Sequence, residues 1–414
     1  MSTKHLKIFI SAYACEPQKG SEPGIGWNVV NELAKYHEVH VLTRSNNREA
    51  IEAALIGRNE AVPVFHYYDL PKWLTFWKKK RRGYHLYYYL WQYGAFFRYR
   101  HWVDTFGFDI VQHLTFANFS MPSLFMLCKA TTVWGPIGTI PTPPAIFSAL
   151  PSKVRIRETL RRWIMTFLCH AEPMRFLTPR AANWILEYDS RLDGSCFPVR
   201  WQPKVRRHPQ TGVNTAEPEY STERRRNDDG KIRLLICSEF LHWKGVVFSA
   251  EIFSRIARRR DDVELYLYGS GPEKETMAAI FRRAGVENRV HWKGFVGKQE
   301  MIQALFDADI LLYPSYHHGL ATVILQAMYA RLPIVALKGD PIGLAVADGA
   351  GLVAEGGTMP EILDDLERKT GLLIGSPDLR KQLGDRGRRL VEERYEWRVL
   401  TARLSSLLLE LTAK

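Results

Sequence analysis

The feature that most constrains this chain is an alternation that occurs twice. Short apolar runs of strand length, "LKIFISAY", "HEVHVLTR", "FDIVQHLTF" and "ATTVWGPIG", are separated by segments with helical spacing, the first from about Gly26 to Tyr36. The pattern returns with "IRLLICSEF", "VELYLYGSG", "RVHWKGFV", "DILLYPSY" and "LPIVAL", separated by stretches such as "KETMAAIFRRAG" and "KQEMIQALFDA". A helix between consecutive apolar strands is the connection that parallel pairing requires, and it covers the sheet on both faces. The expected class is therefore α/β, with two parallel sheets.

Length agrees with two cores, because 414 residues exceed what one core usually holds. The stretch "AEPEYSTERRRNDDG" is polar and nearly free of large aliphatics, as a surface linker would be. The expected organisation is an N-terminal domain over 1–215, a linker over 216–230 and a C-terminal domain over 231–395. A closing helix over 396–414 can pack back on the first domain. No apolar run reaches the ~18 residues of a membrane span. The first strand is not followed by a small-residue cleavage site, and the five cysteines are far apart with no C-x-x-C pair. A cytoplasmic protein with free thiols is expected. The net charge of +13 predicts anionic partners: nucleotides, nucleic acid or acidic lipid.

Three segments carry candidate chemistry. "EPGIGWN" follows the first strand and opens a helix, so Gly24 and Gly26 would let backbone approach a phosphate at a helix N-terminus. It reads equally as a glycine-rich turn without a ligand. In "HWKGVVFSAEIF", Lys244 begins an amphipathic helix after a strand, where an ammonium can serve phosphate oxygens at the sheet's carboxyl edge; a solvated surface lysine is the alternative. In "PSYHHGLATVILQAMYARLPIVAL", Gly319 makes the turn, and the amides of about Leu320 to Val323 would form an anion nest. Gln326 lies one turn into the helix that follows. His317 and His318 read either as part of the site or as surface histidines.

These segments, together with "SAYACEPQKGSEPGIGWN" and "VWGPIG", resemble the retaining GT-B glycosyltransferases of group one over nearly the entire chain. The resemblance implies the GT-B fold, two Rossmann-like domains facing across a cleft, and transfer from a nucleotide diphosphate sugar with retention. In that family a loop and helix read Glu, seven residues, Glu. Here His318 stands in the first position and Gln326 in the second, which would contact donor sugar hydroxyls and ribose respectively. Glu239 stands where the family has an arginine, and a carboxylate there repels a pyrophosphate unless it turns away. The resemblance also implies that His113 contacts the far side of the donor sugar, with a core histidine as the alternative. Trp134 and Gly135 would line the acceptor side, and the backbone at Gly269, Gly271 and Phe295 would accept the nucleotide base. No cofactor or metal is expected, in keeping with the lack of a D-x-D motif in a plausible loop.

The stretch Leu70 to Val103 holds thirteen aromatics, eight lysines or arginines and no acid. That composition suits an anionic membrane interface, as does the basic stretch "SKVRIRETLRRWIMTFLCH". Core aromatics on a helix with a basic outer face give the same composition. Nucleic acid is disfavoured because no recognised binding motif is present, and a nicotinamide or flavin enzyme because Val29 stands where the third glycine would be and no ribose-binding acid follows. The expected partners are a nucleotide sugar donor, a glycan or lipid-linked acceptor serving cell-surface polysaccharide synthesis, and a membrane surface. A glycan- or membrane-binding GT-B-like protein without donor chemistry is the alternative from another class.

Overall fold

The computed structural model describes residues 5–77, 83–117, 123–137, 148, 155–156, 159–160, 163, 173–187, 197, 199–223, 229–316, 320–338 and 341–413. Strands β1 (Lys7–Ser11), β2 (Glu38–Thr43), β3 (Val64–Tyr67), β4 (Ile110–His113), β5 (Thr131–Ile137), β6 (Trp184–Glu187) and β7 (Val205–Arg207) form one sheet in the order β3-β2-β1-β4-β5-β6-β7. Strands β8 (Ile232–Cys237), β9 (Val263–Tyr268), β10 (Val290–Gly294), β11 (Ile310–Tyr313), β12 (Ile334–Leu337) and β13 (Gly351–Ala354) form a second in the order β10-β9-β8-β11-β12-β13. Every pairing between these strands is parallel.

Side chains of a strand alternate between faces, so each sheet feeds two cores. In β1, Phe9 enters an aromatic cluster beneath helix α3 (Tyr84–Phe106), while Ile8 and Ile10 pack toward helix α1 (Ser21–Ala34); α2 (Arg48–Leu55) lies between these helices in the chain. In β8, Leu234 and Ile236 join one core of the second lobe and Leu235 the other. The final helix, Trp397–Thr412, lies on the first lobe, burying Trp397, Leu400, Leu404, Leu408 and Leu411 with the α1 side chains. At about 2 kcal/mol each, these five contribute roughly 10 kcal/mol before ordering costs. His37 Nε2 bonds Ser405 Oγ at 2.8 Å and fixes the docking.

Two local structures differ from expectation. The first helix starts at Ser21, not near Gly26, so Gly24 and Gly26 lie inside its first turns. The segment expected to be a free linker carries a 3-10 turn, Pro218–Ser221, whose Tyr220 is buried in the second lobe, edge-on to Tyr329. A tyrosine among polar residues was the one side chain there with enough apolar area to dock.

Candidate active site

A sheet whose strand order reverses leaves a crevice at its carboxyl edge, because neighbouring connections depart to opposite faces. The second sheet reverses between β8 and β11. Lys244 ends the 3-10 turn after β8 and is partly buried; its Nζ donates to the hydroxyl of Tyr313, the last residue of β11, at 3.0 Å and stands 5.5 Å from that ring's centre. The ammonium therefore spans the crevice. Gly245 follows at φ 69°, where a Cβ would lie 2.1 Å from the Pro314 carbonyl oxygen. Only glycine lets the start of helix Val246–Ala257 approach the β11 tip this closely. The Trp243 carbonyl accepts both the Tyr316 amide at 3.1 Å and Ser315 Oγ at 3.2 Å, which locks the two loops together.

Other expected donor contacts have mixed positions. Leu320 and Ala321 precede helix Thr322–Tyr329, whose start has no capping side chain, so first-turn amides retain donor capacity. His318 and Gly319 lie outside the described residues. Gln326 is buried, and its Nε2 donates to the Tyr220 hydroxyl at 2.9 Å. The docked 218–221 turn thus engages the Nε2 end of the amide that was expected to contact ribose. Gly269, at φ 130°, and Gly271 follow β9, and a Cβ on them would meet the Ser238 oxygen at 1.9 Å and the Phe240 oxygen at 2.5 Å. Their glycine character thus serves the crossing of the β8 and β9 loops. Phe295, after β10, is 73% exposed. Glu239 is exposed, so the carboxylate in the arginine position is solvated.

In the first lobe three expectations are corrected. His113 is only 1% exposed. Its Nε2 meets the Tyr88 hydroxyl at 3.1 Å, and that hydroxyl donates onward to the Phe116 carbonyl at 3.2 Å, so His113 serves as the donor. Burial depresses its pKa to about 3, which makes it a neutral core histidine in this conformation, sealed behind Tyr88. Trp134 and Gly135 lie within β5, not in an open turn. Trp134 packs edge-on to Phe197 in the aromatic core, and a Cβ on Gly135 would meet the Leu186 oxygen at 2.4 Å. On Gly24 and Gly26 a Cβ would lie 2.2 Å from the Lys19 and Ala14 oxygens, so these glycines admit the chain's own preceding loop.

The aromatic stretch divides. Tyr87, Tyr88, Trp91, Ala95, Phe96 and Val103 form the buried face of α3, whereas Trp73, Phe76, Leu86 and Phe97 are exposed. The second basic stretch, at 152–170, falls largely outside the described residues. Sequence reasoning missed Tyr313, the holder of Lys244, whose signal was an aromatic with a polar tip closing an otherwise aliphatic strand. It also missed Glu22, a carboxylate in the first turn of α1 whose neighbours Gly24 and Gly26 drew the attention. Among the described residues no group of three His, Cys, Asp or Glu is placed to hold a metal ion.

Residues 219–390, which span the second sheet, match the family model for Glycosyl transferases group 1. Alpha-D-kanosaminyltransferase of Streptomyces kanamyceticus is 27% identical over 153 residues, 37% of this chain and 39% of the relative. A GDP-mannose-dependent monoacylated alpha-(1-6)-phosphatidylinositol monomannoside mannosyltransferase of Corynebacterium glutamicum is 25% identical over 202 residues, 47% of this chain and 51% of that protein. The matched stretch thus spans about half or less of these curated relatives. The solved sucrose-phosphate synthase from Thermosynechococcus elongatus aligns over 99% of this chain and 100% of its own, with a TM-score of 0.64 at 13% identity. Two parallel-sheet lobes in this arrangement are the GT-B fold.

Proposed function

We propose that this protein is a glycosyltransferase. It takes a nucleotide diphosphate sugar at the carboxyl edge of the second sheet and transfers the sugar, with retention of configuration, to a hydroxyl of a glycan or lipid-linked acceptor held by the first lobe. The observation that carries the reading is the Lys244 ammonium held across the β8/β11 crevice, in the stretch that matches a glycosyltransferase family. The bond from the sugar's anomeric carbon to phosphate breaks as the bond to the acceptor oxygen forms, and negative charge grows on the departing diphosphate. A fixed cation and uncapped helix amides at that place stabilise the charge without needing to reorganise. No metal or cofactor is assigned a step. Glu239, which favoured a protein without donor chemistry, is exposed, so water screens its repulsion of a phosphate.

A membrane-surface role in assembling cell-surface polysaccharide belongs to the same reading. Its support is the exposed Trp73, Phe76 and Leu86 beside Lys72, and a relative whose name gives it a lipid acceptor. No helix of the described residues is long and apolar enough to cross a membrane. Calorimetry with UDP and GDP, followed by detection of nucleoside diphosphate released from UDP- and GDP-sugars, tests the reading. Saturable binding and release are expected; absence of both refutes it.

A further inference from the structure

The first sheet reverses its strand order between β1 and β4, so it too has a crevice at its carboxyl edge. Where Lys244 bridges the second crevice, a carboxylate bridges the first. Glu22, in the opening turn of α1, accepts the Phe116 amide from the loop after β4 at 3.1 Å on Oε2. On Oε1 it accepts the Gln210 side-chain amide, also at 3.1 Å. Among the described residues no lysine, arginine or histidine pairs with it.

The placement is actively maintained. Gln18 in the loop after β1, Ser21 where that loop enters α1, and Phe116 after β4 adopt left-handed φ values of 59°, 56° and 56°. Such conformations cost about 1 kcal/mol or more each and persist only where the surroundings enforce them. Here Ala14 donates its amide to Thr115 Oγ1 at 3.1 Å, and Tyr88 holds the Phe116 carbonyl. Together with the Glu22 bond, these contacts tie the two loops at the crevice.

Each carboxylate oxygen has a second acceptor site. Both present partners of Glu22 are neutral donors, and its side chain is only partly buried. An uncompensated carboxylate attracts hydroxyl donors and repels phosphate. We propose that Glu22 is the residue of the first lobe that receives a hydroxyl of the acceptor sugar, and that this crevice selects an uncharged polyol over an anion. The two crevices then divide the reactants by charge: ammonium for the diphosphate, carboxylate for the hydroxyl. Burial raises the pKa of Glu22 above the ordinary carboxylate range, while the Phe116 and Gln210 amides bond its charged form and work against that rise.

This inference rests on the proposed function, and the experiment reads the two lobes separately. Saturation-transfer NMR on the full chain with UDP present, using the methyl glycosides of glucose, galactose, mannose and N-acetylglucosamine, reports the first crevice; calorimetry with UDP and GDP reports the second. At least one glycoside should bind the wild type, and Glu22→Gln should weaken it by about tenfold or more. Nucleotide affinity should stay unchanged, and inorganic phosphate should not displace the glycoside. Glu22→Asp, which keeps the charge but withdraws it by one methylene, should also weaken the glycoside and spare the nucleotide, and it serves if Glu22→Gln loses the wild-type melt. If neither variant folds, phosphate competition on the wild type decides. Undiminished glycoside binding in a folded variant, displacement by phosphate, or no glycoside binding at all overturns the proposal. Glycoside binding that depends on Glu22 in a protein that binds no nucleotide would leave this inference standing and refute the donor reading.

Discussion

Replacing Lys244 by alanine removes the ammonium held at the β8/β11 crevice while leaving the fold little changed. Its bond to Tyr313 at 3.0 Å is worth about 1 kcal/mol to stability, and its contact with that ring about 0.5–1 kcal/mol. Both are small beside the 5–15 kcal/mol that holds a typical domain. The catalytic loss should be larger. One preorganised donor aimed at developing negative charge is worth about 2.7–4 kcal/mol, and two unit charges about 4 Å apart at an effective dielectric of 20 interact by about 4 kcal/mol. Lys244→Ala should therefore lower kcat for nucleotide release by about 10²–10³-fold, with a urea midpoint near that of the wild type. Lys244→Arg keeps the charge but not the compact geometry, and should recover part of the loss. Tyr313→Phe leaves the ammonium in place without its tether and should cost about fivefold, the equivalent of one neutral hydrogen bond. The assay is continuous detection of nucleoside diphosphate from UDP- and GDP-sugars, with thermal melts of each variant. A folded Lys244→Ala protein that turns over within about threefold of wild type would show that the crevice cation does not stabilise the leaving group.

Three further outcomes follow from the packing and the charges. Gly245→Ala should destabilise the protein by at least about 3 kcal/mol in urea unfolding, since it combines a left-handed φ with a 2.1 Å approach to a carbonyl; a midpoint shift under about 1 kcal/mol would contradict the geometry. His113, held neutral with its pKa at about 3, binds no proton in the folded state where the unfolded chain begins to do so below about pH 6.5. The proton excess lies with the unfolded state, so stability falls as pH drops from about 6.5 toward 3, by up to about 1.4 kcal/mol per unit. His37, His66 and His208, also shifted down by burial, act in the same sense; urea midpoints at pH 7 and 5 check the direction, and His113→Asn should flatten the slope. Trp73→Ser with Phe76→Ser removes two exposed rings and should weaken binding to anionic vesicles by about tenfold or more, read by sedimentation; unchanged partitioning would assign those rings another role.

What the sequence disclosed, and what it withheld, follows from the range of the interactions involved. Strand and helix alternation is local, and it was enough to announce two parallel sheets. Lys244 was legible for the same reason: a lysine directly after a strand that opens a helix is placed by its immediate neighbours. Tyr313, its partner, is sixty-nine residues away, and only the β8–β11 adjacency brings the two within hydrogen-bond distance. Glycines misled in a consistent way. Gly24, Gly26, Gly135, Gly269 and Gly271 suggested backbone bared to a ligand, yet at each the missing Cβ makes room for another stretch of this chain. A glycine reports that something passes close by; the sequence does not say whether that something is a phosphate or a neighbouring carbonyl. Histidine and glutamine misled through burial. His113 ends a strand at the correct edge, but Tyr88 from α3 covers it, and Gln326 faces the docked Tyr220 from a segment that reads as linker. Charge was more dependable than shape. The exposure of Glu239 and the hydrogen bonds held by Lys244 in one crevice and Glu22 in the other follow from the cost of leaving a charge buried without partners.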